Sequence, residues 1–273
     1  MNTFKIIILI FTSVNIFGQN KQFFYEYKSI PDSTVKNIEK EIMVLNIGKD
    51  KSEFYSFERY KSDSTSIADA KKGISSAFPN KKMNRDRVVR NINAQKIEYI
   101  TPLPPYRYSV SQSIDFKWNI LAEFNNILGY DVQKATTEFG GRKWIAWFAK
   151  EIPIQSGPYK FFGLPGLILK IEDVHKNHIF ELKGIKNTKG DFTYPYLNSY
   201  RDLKITYPKY IKIYKNFRKN PMAGSIGSFP DQTDANGVFH SGDEIFRKFE
   251  KMALEELKKD NNIIELDLLK LKK

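Results

Sequence analysis

The segment Gly163–Ile168, with the sequence GLPGLI, restricts what this chain can form more than any other feature. Pro165 and Gly166 fit the central positions of a type II turn, because proline presets φ at the first of them and glycine accepts positive φ at the second. The apolar run Leu167–Ile171 then predicts a strand that is buried on both faces, with an interruption at Lys170. The sequence therefore predicts a tight turn that leads a strand into the core.

The residues on either side of this turn also alternate as strands do. Downstream, residues 178–184 are expected to return as a strand after a loop at 173–177. Upstream, Trp144 and Trp147 are predicted on opposite faces of one strand, because alternate side chains of a strand point to opposite sides. The connection at 151–166 contains three prolines and three glycines, and its apolar residues predict an ordered, packed loop.

The run from Gly141 to His178, GRKWIAWFAKEIPIQSGPYKFFGLPGLILKIEDVHKNH, closely resembles the signature of the GLPGLI family. This family comprises small exported proteins of Bacteroidota-type bacteria, and the resemblance implies an exported protein without implying an activity. It assigns a structural role to the motif residues and no catalytic or binding residue. The motif residues are Gly163, Leu164, Pro165, Gly166, Leu167 and Ile168.

The pattern along the whole chain favours a mainly β (α+β) fold. Short alternating segments at 22–30, 40–47 and 52–58 are separated by turn residues, and the alternation of strands with helices that marks α/β folds is missing. A capping box at Ser241–Glu244 predicts one C-terminal helix, and residues 263–271 are predicted as a closing strand. We expect an antiparallel, curved or bowl-like sheet with that single C-terminal helix.

The N-terminus has the pattern of a secretory signal peptide. Lys5 provides the positive charge, an apolar run begins at Ile6, and Gly18 is a small residue suited to the position before cleavage. The run is too short and too polar to span a membrane. The alternative to a signal peptide is a buried N-terminal strand. We therefore expect a signal peptide at 1–18, a single β-rich domain at 19–273, and export to the periplasm or beyond, with no transmembrane segment in the mature chain.

Composition narrows the function classes further. The chain has no cysteine, so no disulfide or thiolate site can form, and its formal net charge is +13. Basic residues cluster at 81–90 and at 209–219, where they alternate with aromatic residues. In an exported protein this favours anionic lipid or polysaccharide of the envelope over nucleic acid, and a simple solvated face with inward aromatics is the plainest alternative.

No pattern points to a catalytic or metal site. His175 and His178 are close in sequence but fall in a predicted loop, where solvated histidines are the default. No third histidine is nearby, although Glu172 and Asp173 could complete a metal site. Ser33–Lys36 matches a serine–lysine pattern without its companion motifs. The carboxylates Glu138, Glu151 and Asp173 cannot be placed together by sequence, so we predict no catalytic residue, no metal and no cofactor.

Aromatic residues are the better candidates for binding. The set that could line a groove for sugar, peptide or lipid comprises Trp144, Trp147, Tyr159, Phe161, Phe162 and the Tyr207–Phe217 stretch, although core packing explains the same residues. We expect an exported cell-envelope protein that binds an unknown ligand or envelope partner without catalysis. A secreted hydrolase acting on peptide or glycan is the alternative.

Overall fold

The computed structural model describes residues 20–74, 83–94, 96–188, 190, 192–195 and 202–270. Fourteen strands and three α-helices are formed within these ranges. The strands are β1 (Asn20–Ser29), β2 (Glu39–Ile47), β3 (Lys51–Ser56), β4 (Arg87–Asn91), β5 (Lys96–Leu103), β6 (Tyr106–Ser113), β7 (Asn119–Ile127), β8 (Tyr130–Phe139), β9 (Arg142–Ala149), β10 (Leu167–Asp173), β11 (His178–Thr188), β12 (Leu203–Thr206), β13 (Gln232–Thr233) and β14 (Phe239–His240). The helices are α1 (Phe57–Lys71), α2 (Tyr207–Lys219) and α3 (Gly242–Lys259).

Twelve of these strands form one open sheet, which confirms the predicted mainly β fold. Its order is β12-β6-β5-β4-β3-β2-β1-β11-β10-β9-β8-β7, so β1 lies near the middle and pairs with β2 and β11. Every neighbouring pair is antiparallel except β12 and β6, which run parallel. β13 and β14 form a separate two-stranded hairpin.

The signature region folds as its sequence predicts in most respects. β9, β10 and β11 are consecutive neighbours in the sheet, and β10 is buried along its length except at Lys170. Trp144 is fully buried on one face of β9, whereas Trp147 is half-buried on the other. The connection at 151–166 is an ordered, packed loop that carries the buried residues Phe161 and Phe162.

The sheet curves around this packed loop. Phe161 contacts the Trp144 ring of β9, with ring centroids 4.8 Å apart, and shares the lining of one small pocket with Val88 of β4 and Ile97 of β5. In a flat sheet β9 and β5 would be seven strand spacings, or roughly 33 Å, apart. The sheet therefore bends so that residues of distant strands share one core on its concave side.

The three helices lie outside the sheet. α3 is the predicted C-terminal helix, and the Ser241 hydroxyl caps it by accepting a hydrogen bond from the Glu244 amide at 3.2 Å. α1 follows β3 directly, and α2 turns its aromatic residues toward the core. No helix in the described ranges is both long enough and apolar enough to cross a lipid bilayer.

The predicted closing strand at 263–271 does not form. Residues 260–265 are irregular and 266–268 make a single 3₁₀ turn, while Leu271 lies outside the described residues. The carbonyl oxygens of Ile263 and Ile264 accept hydrogen bonds from the Arg142 side chain instead of from a neighbouring strand. The buried Arg142 side chain thus takes the place of a strand partner for this segment. The proposed signal peptide also lies outside the described residues.

Candidate ligand-binding cavity

A cavity of about 690 Å³ opens on the concave side of the sheet. This volume falls within the usual range of small-molecule sites. Strands β1, β2 and β5 form its floor, α2 and the end of α3 form one wall, and the C-terminal segment at 262–268 forms another. Four parts of the chain that are distant in sequence therefore meet around one space.

Tyrosines dominate the lining of this cavity. They are Tyr27, Tyr99, Tyr159, Tyr210 and Tyr214. The Tyr99 ring packs edge-on against both Tyr159 and Tyr210, at 6.2 and 5.9 Å between centroids. Burial raises the pKa of each of these phenols, that of Tyr214 to about 12, so all five stay protonated at physiological pH. They offer aromatic faces to the cavity, while the hydroxyls of Tyr27, Tyr99 and Tyr159 donate to other side chains of the protein.

Glu265 lines the cavity and forms a buried ion pair with Lys160, which lies behind the cavity wall. The Lys160 Nζ lies 2.5 Å from Glu265 Oε1 and 2.9 Å from Gln112 Oε1, and its side chain is fully buried. The hydroxyls of Tyr159 and Tyr207 donate to the two Glu265 oxygens, each at 2.6 Å. Burial by itself raises the pKa of Glu265, but Lys160 and the two hydroxyls outweigh it and hold that pKa below its usual value.

Asp86 supplies a second carboxyl group to the same cavity. It is half-buried just before β4, and one of its oxygens accepts the Tyr99 hydroxyl at 2.6 Å. Burial raises the pKa of this carboxyl, an effect that hydrogen bonds from Tyr99 and Thr101 partly offset. Within the part of the chain that the structure describes, Asp86 has no ion-pair partner.

His178 belongs to a buried network and is not the solvated loop residue that the sequence predicts. Its Nδ1 accepts the Tyr27 hydroxyl and its Nε2 donates to the Asn262 carbonyl, both at 2.7 Å. Burial, followed by the nearby Arg142 charge, lowers its pKa to about 4, so it is neutral at physiological pH. Both ring nitrogens are occupied, which leaves His178 no free nitrogen for proton transfer. His175 is exposed, as expected.

The same network holds Asp173, one of the carboxylates considered above. Its Oδ2 accepts from Arg142 at 3.2 Å and its Oδ1 accepts the His178 amide at 2.8 Å. Glu138 and Glu151 are both exposed, on β8 and at the start of the loop after β9. The three carboxylates therefore do not converge, and no group of three metal-ligating side chains is found among the described residues.

The aromatic binding candidates take different positions around the loop. Tyr159 lines the cavity, as do Tyr210, Tyr214 and Phe217 from the predicted aromatic stretch. Trp144, Phe161 and Phe162 are core residues with at most 7% of their surface exposed. Trp147 lies on the other face of β9, where the Lys134 ammonium sits 5.9 Å from its ring centroid.

Pro165 and Gly166 do not form the predicted type II turn. The positive φ belongs to Gly163, at 94°, and not to Gly166. Gly166 instead lies against β9, where an added Cβ would come within 2.1 Å of the Ala149 carbonyl oxygen. The second glycine of the motif is thus required for close packing of two backbone segments, a contact between distant residues that turn chemistry does not reveal.

Sequence reasoning missed Asp86, Tyr99, Lys160 and Glu265. Lys160 gave one usable signal, because it is a single charge within the apolar loop segment Tyr159–Phe162 and so needs a buried partner. Asp86 stands in a run of basic residues and resembles an ordinary surface charge. Glu265 lies in the apolar segment 263–271, which the sequence predicts as a strand.

This chain is similar to known proteins in two respects, one in the sequence of its signature region and one in its fold. A protein-family model described as "Protein of unknown function (Porph_ging)" matches residues 141–170, from the residue before β9 to the fourth residue of β10. This match supports a family of unknown function for the signature region, and membership of the GLPGLI family stays a prediction. No curated protein matches the sequence.

Two crystal structures of PNGF-II resemble the fold. In space group C2 the TM-score is 0.52, and in space group P21 it is 0.53, both at 16% sequence identity. The similar region covers 72% of this chain but 32% and 33% of the PNGF-II chains, so this protein spans about a third of their length. At this identity the likeness describes the fold alone.

Proposed function

We propose that this protein is an exported, non-enzymatic binding protein of the cell envelope that holds a small ligand in the tyrosine-lined cavity. The observation that carries this proposal is the cavity itself, which has about 690 Å³ of space and combines aromatic faces with fixed polar groups. Cleavage of the proposed signal peptide at 1–18 would leave the mature domain at 19–273. Cavity and domain would then face the periplasm or the cell exterior.

The arrangement of titratable groups favours binding over catalysis. Acid–base chemistry needs a group with a free site within reach of the substrate. Both nitrogens of His178 are occupied, and both Glu265 oxygens accept hydrogen bonds within the protein. One observation favours the alternative of a hydrolase acting on peptide or glycan. The pKa of Asp86 is raised and that of Glu265 is lowered, and two carboxyl groups with such opposite shifts can serve as the acid and the base of one reaction.

The outer face of α2 supports contact with an anionic envelope component. Lys209, Lys212 and Lys219 are exposed and follow one another at helical spacing, and α2 contains no acidic residue. Tyr210 and Phe217 meanwhile pack inward, so the basic and aromatic residues of this stretch separate onto different faces. Such a stripe would strengthen association with anionic lipid or polysaccharide at low ionic strength.

A blocked cavity tests the binding proposal. Ser29 lies on the cavity floor, whereas Lys28, the preceding residue of β1, points to the opposite face of the sheet. We expect protein purified from the envelope fraction to release one small compound on denaturation, detected by mass spectrometry. Ser29→Trp should abolish this release and Lys28→Trp should preserve it.

Two outcomes would contradict the proposal. Equal release from Ser29→Trp and the wild type would place the compound elsewhere, and release of nothing from the wild type would remove the basis for a bound ligand. Chemical change of the released compound on incubation with fresh protein would favour the hydrolase. A compound that stays intact supports binding.

A further inference from the structure

The charge of the cavity wall is opposite in sign to that of the chain. The chain carries a formal net charge of +13, yet five carboxylates and only two basic residues line the cavity. The carboxylates belong to Glu39, Glu41, Asp86, Asp260 and Glu265, and the basic residues are Lys40 and Arg85. Two of these carboxylates are paired with cations from behind the wall, Glu265 with Lys160 and Asp260 with Arg218. The other lining carboxylates still outnumber the lining basic residues by three to two, and this local excess attracts a positively charged ligand.

Side chains of the cavity wall already bind one ammonium group, which lies buried behind that wall. The Lys160 Nζ lies 4.2 Å from the Tyr99 ring centroid, 5.3 Å from that of Tyr159 and 5.4 Å from that of Tyr207. Glu265 is its counterion at 2.5 Å. Tyrosine faces and a carboxylate thus bind a desolvated ammonium, by cation–π attraction together with an ion pair.

Asp86 likewise places a carboxyl group beside tyrosine rings, but no ammonium group of the described residues is paired with it. It shares Tyr99 with Lys160, because the Tyr99 ring faces Lys160 while the Tyr99 hydroxyl donates to Asp86. Tyr210 packs on Tyr99, and Tyr214 packs on Tyr210 with centroids 5.7 Å apart, so aromatic faces continue along the wall. Asp260, by contrast, has Arg218 as its partner at 2.9 Å.

We infer that the cavity binds an organic cation, with an ammonium or guanidinium group, and that Asp86 is its counterion beside the aromatic wall. This inference rests on the proposed binding function and specifies its ligand class. An ammonium at this position would give Asp86 the ion pair that it lacks and would place a second cation against the tyrosine layer. A neutral molecule of the same shape would do neither.

Matched probes separate charge from shape. Choline and 3,3-dimethylbutan-1-ol form one pair of cation and neutral isostere, and ethylguanidinium and N-ethylurea form another. Calorimetric titration of the mature protein should show saturable one-to-one binding of at least one cation. Its neutral isostere should bind at least about tenfold more weakly.

Two variants identify the site. Asp86→Asn keeps an acceptor for the Tyr99 hydroxyl and nearly the same shape, and it should weaken cation binding by about tenfold or more. Tyr214→Leu removes an aromatic face and should weaken binding several-fold. Glu138→Gln, an exposed site on β8, is the control and should bind like the wild type. Thermal unfolding of each variant verifies that it is folded.

The inference is overturned if neither cation binds, if the isosteres bind equally well, or if Asp86→Asn binds as the wild type does. These failures leave the proposed function standing when the wild type still releases a compound that Ser29→Trp does not. A released compound that is neutral or anionic would overturn the inference of a cationic ligand but would leave the proposed binding function in place. Loss of the contrast between wild type and Ser29→Trp would instead overturn the proposed function.

Discussion

At the residue scale, Gly166 controls how closely two neighbouring backbone segments approach. An added Cβ would lie 2.1 Å from the Ala149 oxygen and 2.6 Å from the Ala149 carbonyl carbon. Both are main-chain atoms within the sheet, so they cannot move aside as a flexible side chain does. Gly163, by contrast, has positive φ, and an added Cβ there would meet only the Trp118 side chain at an ordinary contact distance of 3.8 Å.

Substitutions at these two glycines should therefore differ in cost. We expect Gly166→Ala to lower the free energy of unfolding by more than about 3 kcal/mol, because the backbone of β9 or β10 must shift. Gly163→Ala should cost about 1 to 2 kcal/mol, the penalty for positive φ alone. Pro165→Ala, at an exposed position, should cost less than about 1 kcal/mol. Urea denaturation ranks the three, and a larger loss for Gly163→Ala than for Gly166→Ala would contradict the packing argument.

His178 couples stability to pH in a defined window. Its pKa falls from 6.5 in the unfolded chain to about 4 in the fold, so the folded protein binds this proton more weakly. The stabilisation that depends on neutral His178 is fully present above pH 6.5 and is lost as the pH falls toward 4. It amounts to about 3 kcal/mol of unfolding free energy over that range. His178→Gln should remove this part of the acid destabilisation.

The measurement is the difference in unfolding free energy between pH 7 and pH 4.5 for each variant. His175→Gln is the matched control, because His175 is exposed and should leave the pH dependence of the wild type unchanged. Identical pH profiles for His178→Gln and the wild type would mean that His178 is not buried in its neutral form.

At the element scale, the C-terminal segment closes the concave side of the sheet without joining it. The amides of Asn261 and Asn262 donate to the Pro31 carbonyl, and the Asp267 amide donates to the Gly140 carbonyl at 3.2 Å. Glu265 then anchors the segment to Lys160 in the loop after β9. The segment is thus held by separate contacts with several elements.

The Lys160–Glu265 pair should be strongly coupled. Lys160→Met leaves a buried carboxylate without a cation, and we expect a loss of about 3 to 5 kcal/mol in unfolding free energy. The double variant Lys160→Met/Glu265→Gln should lose less than the sum of the single variants, because it removes both charges. Lys270→Met, which breaks an exposed pair with Asp267, should cost less than about 1 kcal/mol and is the control. Additive losses in urea denaturation would show that the buried pair is not coupled.

At the scale of the whole molecule, curvature of the sheet creates the cavity. The packed loop at 151–166 fills one part of the concave side with Phe161 and Phe162, and the cavity occupies another. β1 crosses the middle of the sheet and supplies Tyr27 and Ser29 to the cavity floor. Any change that shortens β1 should therefore affect both the sheet and the site.

Export predicts a mature chain that begins at Gln19. Cleavage after Gly18 would leave β1 intact, because that strand starts at Asn20. Mass analysis of the protein from the envelope fraction should find this N-terminus, with Gln19 cyclised to pyroglutamate. Intact Met1 on protein from the cytosol would contradict export.

Local patterns in the sequence determined the elements around the signature. Alternation placed Trp144 and Trp147 on opposite faces of β9, the apolar run predicted buried β10, and Ser241 with Glu244 predicted the start of α3. Each of these features depends on residues within a few positions of one another, so periodicity and capping chemistry are sufficient to predict them.

Only the tertiary structure decided the cavity and the true role of Gly166. Asp86, Tyr99, Lys160 and Glu265 come from four separated parts of the chain, and they meet because the sheet bends around one loop. Whether a charged residue is exposed or buried beside a partner depends on contacts between segments distant in sequence. Local periodicity carries no information about those contacts, so strands could be predicted from this sequence while the site they enclose could not.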